Sequence, residues 1–563
     1  MRPRSRFRRR GAAFAGLTAA ALAARVLRGR TRRRDPGQPR AVDWAPPPVD
    51  PVPAARELEH APPATAPPAG PPDGDGADTI TRNTAFALAS QIATASFTAL
   101  LTIVLVRVLG PEDYGIFALA LSVASLVFLP ADFGISQSTA RFVAEHRGER
   151  ERIAEVMADG LKLKVASSGL ICVILFALAE PIANAYNVPE LTWPLRGVAL
   201  ALFGQSMMGF YRTAFEAIGR VRLNLRLVFS ESAVEAGASI ALVLAGTGVV
   251  GAAFGRAIGY GFGTALALYL AHRAIGARGV SLRGSPAGRL RQIASYAGAL
   301  LIIDAIFAAL TQIDILLIGA ILGTSAVGIF QAPAKLITFL HYPGLALSAG
   351  VSPRLARAGS GPNVEAFAAG IRYLTILQGL LVVPTVVWAG PIVDLVLGDE
   401  FAESAEVMRA LAPLTFLFGI APLVSVGVNY LGEARRRIPI AIAALVVNFA
   451  VSIVLLYEIG VVGSAIGADV AYLIYVPAHF WICKRMIGLP VRPVVVTFAR
   501  VLVSAGAMAL AMLAFGYEEL SVLDWFAGGV AGVAAYCLAL LVTREVSRSE
   551  IASISRAIAS RLG

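Results

Sequence analysis

From residue 84 onward the chain consists of apolar runs about twenty residues long, separated by short polar breaks. A helix rises ~1.5 Å per residue, so a run of about twenty apolar residues matches the hydrocarbon core of a bilayer. Fourteen such spans are predicted, centred near 96, 123, 174, 204, 238, 262, 305, 337, 382, 415, 447, 473, 505 and 532. The breaks alternate in character. Those after odd-numbered spans are short and acidic or neutral, as at Pro111-Glu112-Asp113, Asp399-Glu400 and Glu518-Glu519. Those after even-numbered spans carry arginines, as at Arg141 to Arg152, Arg220 to Arg226, Arg273 to Arg291 and Arg435 to Arg437. Basic links face the cytoplasm. The alternation therefore predicts that both termini are cytoplasmic.

A longer period lies over these spans. Leu109-Gly110, four residues, then Gly115-Ile116-Phe117 returns 213 positions later as Leu322-Gly323, four residues, then Gly328-Ile329-Phe330. Gly248-Val-Val-Gly251 with Gly255 returns 212 positions later as Gly460-Val-Val-Gly463 with Gly467. Two unrelated motifs sharing one offset point to an internal duplication of about two hundred residues. Six spans per copy is an even number, so the copies have the same orientation and are parallel repeats. The expected fold is all-α, with two parallel six-helix repeats around a central cavity and two extra C-terminal helices. The expected domains are a basic, Pro-rich cytoplasmic tail over 1–80, an N-lobe over 81–290, a C-lobe over 291–487, helices 13 and 14 over 488–543, and a second cytoplasmic tail over 544–563.

Composition agrees with the spans. Apolar residues make up 56% of the chain, and the mean hydropathy is +0.69. This is membrane-protein composition. The net charge of +12 does not signal nucleic-acid binding. Residues 1–40 hold thirteen arginines and one acid, Asp35, which accounts for the entire excess. The stretch at 11–27 contains Arg25 and is flanked by arginines, so it reads as a cytoplasmic tail able to touch anionic lipid rather than as a translocated signal. Cys172, Cys483 and Cys537 lie in or beside apolar runs and read as reduced.

The segment Arg107-Val-Leu-Gly-Pro-Glu-Asp-Tyr-Gly-Ile-Phe-Ala-Leu-Ala120, followed by Asp132-Phe-Gly-Ile-Ser-Gln-Ser-Thr-Ala-Arg141, resembles the start of prokaryotic polysaccharide flippases of the Wzx type. Gln312-Ile-Asp314 before the second glycine pattern is similar to the same family's seventh and eighth helices. The resemblance covers about residues 80–490. It implies two lobes around a cavity that opens alternately to each side. It also implies a polyprenyl-diphosphate-linked oligosaccharide as substrate, no cofactor, and work alongside glycosyltransferases and a polymerase. The basic tail departs from the family pattern.

A flippase makes and breaks no covalent bond. It needs a wet cavity with cations for the diphosphate and amphipathic side chains for the sugar. Ionisable residues at membrane depth are the candidates. Lys335, Arg256, Arg409 and Arg212 are the candidate substrate-binding cations. Lys335 could instead pair with Asp304 or Asp314. Arg212 could lie at the interface, and Arg409 could reach outward. Asp304, Asp314 and Asp469 are candidates for binding H+ or Na+, or for neutralising a nearby cation. Glu231 and Glu235, one turn apart near Arg226, read as an interfacial network. His341 and His479 have no metal-ligand spacing around them, so no metal site is expected.

Three other readings stay in view: a lipid II-type flippase, a multidrug exporter of the same superfamily, and a membrane polymerase or ligase. Residues 84–106 contain no acid, whereas drug extruders of the superfamily tend to use one in the first helix. The predicted outward turns are short and lack His, Lys and Arg, unlike a polymerase or ligase.

Overall fold

In lipid every backbone N–H and C=O needs an internal partner, so apolar runs of this length fold as helices. The computed structural model describes residues 80–275, 306–351, 363–431, 436–547 and 550, except 133, 147, 307 and 519. These belong to one unit, Asp73–Gly563. The residues of the predicted tail up to 79, the lobe boundary at 290, and Asp304 lie outside the described residues.

The described elements are helical throughout. In chain order they are α1 (Ile80–Asp132), α2 (Ile135–Glu145), α3 (Arg150–Ala185), α4 (Thr192–Ala217), α5 (Val221–Leu242) and α6 (Gly248–Ile275). A shorter apolar helix follows, α7 (Ala308–Ile321). Then come α8 (Thr324–Ile337), α9 (Tyr342–Val351), α10 (Val364–Val387), α11 (Ala389–Val396), α12 (Ser404–Ala410), α13 (Ala412–Tyr430), α14 (Arg437–Ile459), α15 (Val461–Ile487), α16 (Val491–Leu513) and α17 (Val522–Val542). Every predicted span centre falls inside one of these helices except that at 305, outside the described residues.

By length and apolarity, nine described stretches can cross a membrane, fewer than the fourteen predicted. The seventh predicted span is described only in part, as the short α7, and three physical features bear on four others. Two of the nine, Ala89–Phe128 and Val221–Ile275, each hold two helices joined at glycine. α4 is less apolar because it is buried on most of its surface by protein rather than by lipid. The eighth predicted span is broken at its centre, where a short 3-10 turn, Thr338–His341, separates α8 from α9. Large side chains such as Leu502, Phe526 and Val542 are about three-quarters exposed around the rim, where lipid would cover them.

The repeated glycines have repeated conformations. Gly110 interrupts α1 at φ 71°, ψ 178°, and Gly323 precedes α8 at φ 93°, ψ −177°. Gly248 opens α6 at φ 57°, ψ −142°, and Gly460 opens α15 at φ 70°, ψ −147°. Residues with a side chain rarely adopt these angles. The two glycine patterns also touch each other. A Cβ on Gly115 would overlap the carbonyl oxygen of Thr324, and a Cβ on Gly328 would overlap that of Pro111. Position 324 lies 213 residues after position 111, as Gly328 does after Gly115, so the two close approaches mirror each other.

Within the first half, α4 and α5 pack on α6, and α1 packs on α5. Within the second, α14 and α13 pack on α15. The seam between halves is α8 against α1, with a shared apolar core running from Leu105, Phe117 and Leu119 to Ile318, Val327 and Phe330. Arg107 strengthens that end by donating to the carbonyls of Leu395 and Val396 at the close of α11.

Two charged clusters hold the helix ends. Asp132 accepts from Lys164 and from Ser136 Oγ at 2.5 Å, tying the end of α1 to α2 and α3. After α17, Glu545 accepts from Arg372 Nε (2.8 Å), Arg500 Nη1 (3.1 Å) and Thr497 Oγ1 (2.8 Å), while Arg372 also reaches Glu550 at 2.8 Å. Arg372→Ala leaves a buried carboxylate under-paired. It is expected to lower stability by about 1–3 kcal/mol, read as an earlier thermal midpoint and faster proteolysis of the last helical pair.

Candidate functional site

A cavity of about 400 Å³ lies among α1, α4, α5, α6 and α8. Three of the four predicted cations line it: Arg212 from α4, Arg256 from α6 and Lys335 from α8. Lys335 is the lining residue contributed by the second half of the chain, and it sits in the last turn of α8 just before the break. It lies within electrostatic reach of Arg256, so the two cations repel. Among the described residues no carboxylate lies within ion-pair distance of Lys335, and Arg212 Nε is buried without a hydrogen-bond partner. Arg256 pairs with Glu235 on α5, donates to Tyr260 Oη at 3.3 Å, and lies 5.0 Å over the Tyr260 ring.

Arg409 is not in this cavity. Its exposed side chain donates to the Val386 carbonyl at 3.3 Å. Asp314 does not face Lys335 either. It is buried between α7, α14 and α15 and accepts from Asn448 Nδ2 (3.1 Å), Ser452 Oγ (3.1 Å) and Ser464 Oγ (2.9 Å). Asp469 accepts from the backbone N–H of Leu414 at 2.7 Å. That N–H lies in the first turn of α13, where helix geometry supplies no internal acceptor. His341 stacks on Phe418 at 4.4 Å, and His479 stacks on Tyr475 at 4.2 Å.

Sequence reasoning missed two parts of the wall. Glu231 and Glu235 are not only interfacial; both line the cavity, opposite the face that Arg226 would suggest. The signal was their four-residue spacing set against Arg256 on the next helix. The second missed part is a hydroxyl stripe on α1: Ser90, Thr94, Thr98 and Thr102, each four residues apart and so on one helix face. Thr94, Thr98 and Thr102 line the main cavity. Ser90, Gln91 and Thr94 line a second cavity of about 360 Å³, which shares Thr94 and Arg212 with the first. From Leu105 back to Ser90 is roughly 22 Å along the helix. The two cavities therefore follow α1 away from the tight Gly110 end, with Phe97, Tyr114, Phe117 and Tyr260 supplying aromatic faces.

The described residues thus form a helical, multi-pass membrane protein with a charged cavity where α8 meets α1, α4, α5 and α6. The chain matches the model of the family described as polysaccharide biosynthesis proteins over residues 80–357. Two curated relatives are matched over nearly their whole length. A protein named as an O-antigen transporter in Shigella flexneri is 21% identical over 398 residues, 68% of this chain and 92% of that one. A protein named as a low-salt glycan biosynthesis flippase in Haloferax volcanii is 19% identical over 460 residues, 80% of this chain and 93% of that one. Among solved structures, the lipid II flippase MurJ in an inward closed conformation superposes with a TM-score of 0.68 at 11% identity, covering 82% of this chain and 99% of that one. A multidrug resistance MATE family transporter scores 0.60 facing inward (17% identity, 72% of this chain and 98% of that one) and 0.53 facing outward (18%, 73% and 96%). These likenesses describe the fold.

Proposed function

We propose that this protein carries a polyprenyl-diphosphate-linked oligosaccharide across the cytoplasmic membrane by alternating access, for surface polysaccharide synthesis. The observation that carries the reading is the meeting of Lys335 and Arg256 from opposite halves. Two half-buried cations lining one cavity, one of them without a carboxylate partner among the described residues, favour an anion between them. A diphosphate supplies it through charge-assisted hydrogen bonds. The hydroxyl stripe and the aromatic faces suit sugar, and the lipid tail stays in the bilayer. The relatives named as glycan transporters support the same substrate class.

In this reading the halves are copies of one six-helix unit within a fourteen-span chain, and both termini face the cytoplasm. The Gly110–Gly323 end is the outer end, here closed, and the Ser90 end opens inward. Asp314 is the coupling carboxylate for H+ or Na+, because it sits apart from the substrate cavity among the polar side chains of Asn448, Ser452 and Ser464. Asp314→Asn keeps the shape and removes the charge. It is expected to abolish ion-dependent transport in vesicles while leaving substrate binding within about twofold. Asp469 serves α13 rather than coupling, Arg409 lies off the path, and Asp304 keeps its proposed neutralising role. The basic tail contacts anionic lipid, and upstream glycosyltransferases and a downstream polymerase complete the route.

Lipid II transport is the second reading, supported by the fold likeness to MurJ. Depletion separates the two. Accumulation of a lipid-linked oligosaccharide inside the cell is the expected result, whereas accumulation of lipid II with normal surface glycan would overturn the first reading.

A further inference from the structure

The cavity contains anions of its own. Glu235 pairs with Arg256, and both side chains remain reachable, at 11% and 22% exposure. Glu231 lies one turn away on α5, buried, within electrostatic reach of both. One of its oxygens accepts from Ser232 Oγ at 3.1 Å, while Oε1 has no hydrogen-bond partner. We propose that Glu235 is a displaceable counter-ion, that an incoming diphosphate takes its place on Arg256, and that the Glu231–Glu235 pair takes up one proton as this happens. The proposal rests on the reading of this cavity as a diphosphate site.

Charge balance within the main cavity supports it. Among the described residues, the titratable groups lining the main cavity are Arg212 on α4, Glu231 and Glu235 on α5, Arg256 and Tyr260 on α6, Lys335 on α8, and Tyr114 on the second limb of α1; Glu216 and Tyr342 line the second cavity beside Arg212. The first limb offers only hydroxyls, amides and apolar groups. With both tyrosines of the main cavity neutral, three cations face two carboxylates, a net charge of +1. A diphosphate diester carries two negative charges and would leave the site at −1. Once Glu235 gives up Arg256, it faces Glu231 without a counter-ion, and two like charges at close range cannot both stay ionised. One proton from the water at the open end, forming an O–H bond on either carboxylate, returns the site to neutrality. When the ligand leaves, the proton leaves and Glu235 closes back on Arg256. The empty carrier therefore does not hold Arg256 without an anion, which would be strongly destabilising.

The test uses the full chain in nanodiscs with farnesyl-diphospho-N-acetylglucosamine, a short-chain diphosphate diester, in calorimetry with buffers of different ionisation enthalpy. The wild-type protein is expected to take up about one proton per ligand bound, with affinity falling by up to about tenfold per pH unit as pH rises through the pair's titration. Glu235→Gln is expected to bind at least about tenfold more tightly at pH 8 and to lose the proton uptake. Zero uptake by the wild-type protein, with binding intact, overturns the inference whatever the variants do. So does a Glu235→Gln protein with unchanged affinity and unchanged pH slope. Failure of the wild-type protein to bind the diester at all overturns the diphosphate site itself, and the inference with it.

Discussion

Lys335→Ala is expected to bring surface glycan close to the level of a deletion strain while the protein still reaches the membrane in normal amount. Lys335 makes no ion pair among the described residues, so its removal leaves no buried carboxylate stranded. The fold should tolerate the change, and membrane expression is the control. What is lost is one charge-assisted contact to the diphosphate, worth about 1.5–3 kcal/mol, or roughly 10- to 150-fold in affinity. The loss should be larger in transport than in binding. Lys335 joins the second half to a wall otherwise built from the first, so it is the group through which bound substrate reports to both halves. Lys335→Arg keeps the charge and should retain most of the activity. Wild-type glycan in Lys335→Ala, measured by immunoblot, would remove this residue from the site.

The second large effect is expected at the glycine seam. Gly328→Val places side-chain atoms where the Pro111 carbonyl stands, and Gly115→Val does the same at Thr324. Backbone cannot move aside as a flexible side chain can. Overpacking at such a contact costs about 1–3 kcal/mol or more, enough to change a closed-to-open population ratio by roughly 5- to 150-fold. Spin labels flanking the seam should show a longer distance in both variants, and transport should fall in step. Gly237 is the control: a Cβ there meets nothing within 4 Å, so Gly237→Ala should leave the distance and the activity unchanged. Equal distances in Gly328→Val and wild type would mean the seam is not a closing contact.

What the sequence made legible follows from what acts locally. Span length and charge alternation place helices, because lipid tolerates little else. The glycines were legible because their angles exclude other residues, and Gly110 and Gly323 indeed share one conformation. Lys335, Arg256 and Arg212 stood out as cations at membrane depth. The rest depends on which helix face meets which. Glu231 and Glu235 were read toward Arg226 on their own helix, but Glu235 pairs with Arg256 on the next. The hydroxyls of α1 carry no charge and so gave no signal beyond spacing. The break after Ile337 lies where Lys335 was expected in mid-helix, because Pro333 and the 3-10 turn relax the ladder there. Asp469 read as an ion site or a neutralising charge; its carboxylate also accepts from the N–H of Leu414 at a helix start, a backbone need invisible in a list of residue types.

The central claim is that a lipid-linked diphosphate sugar crosses the membrane through the cavity between the two halves. Its most direct measurement is flipping in proteoliposomes. Polyprenyl-diphosphate-oligosaccharide is placed in both leaflets, and a periodate or lectin probe outside the vesicle reports how much becomes accessible over time. Wild-type protein should expose nearly all of the substrate within minutes, and Lys335→Ala should expose little more than the outer-leaflet half. Equal rates for wild type, Lys335→Ala and protein-free vesicles would contradict the account.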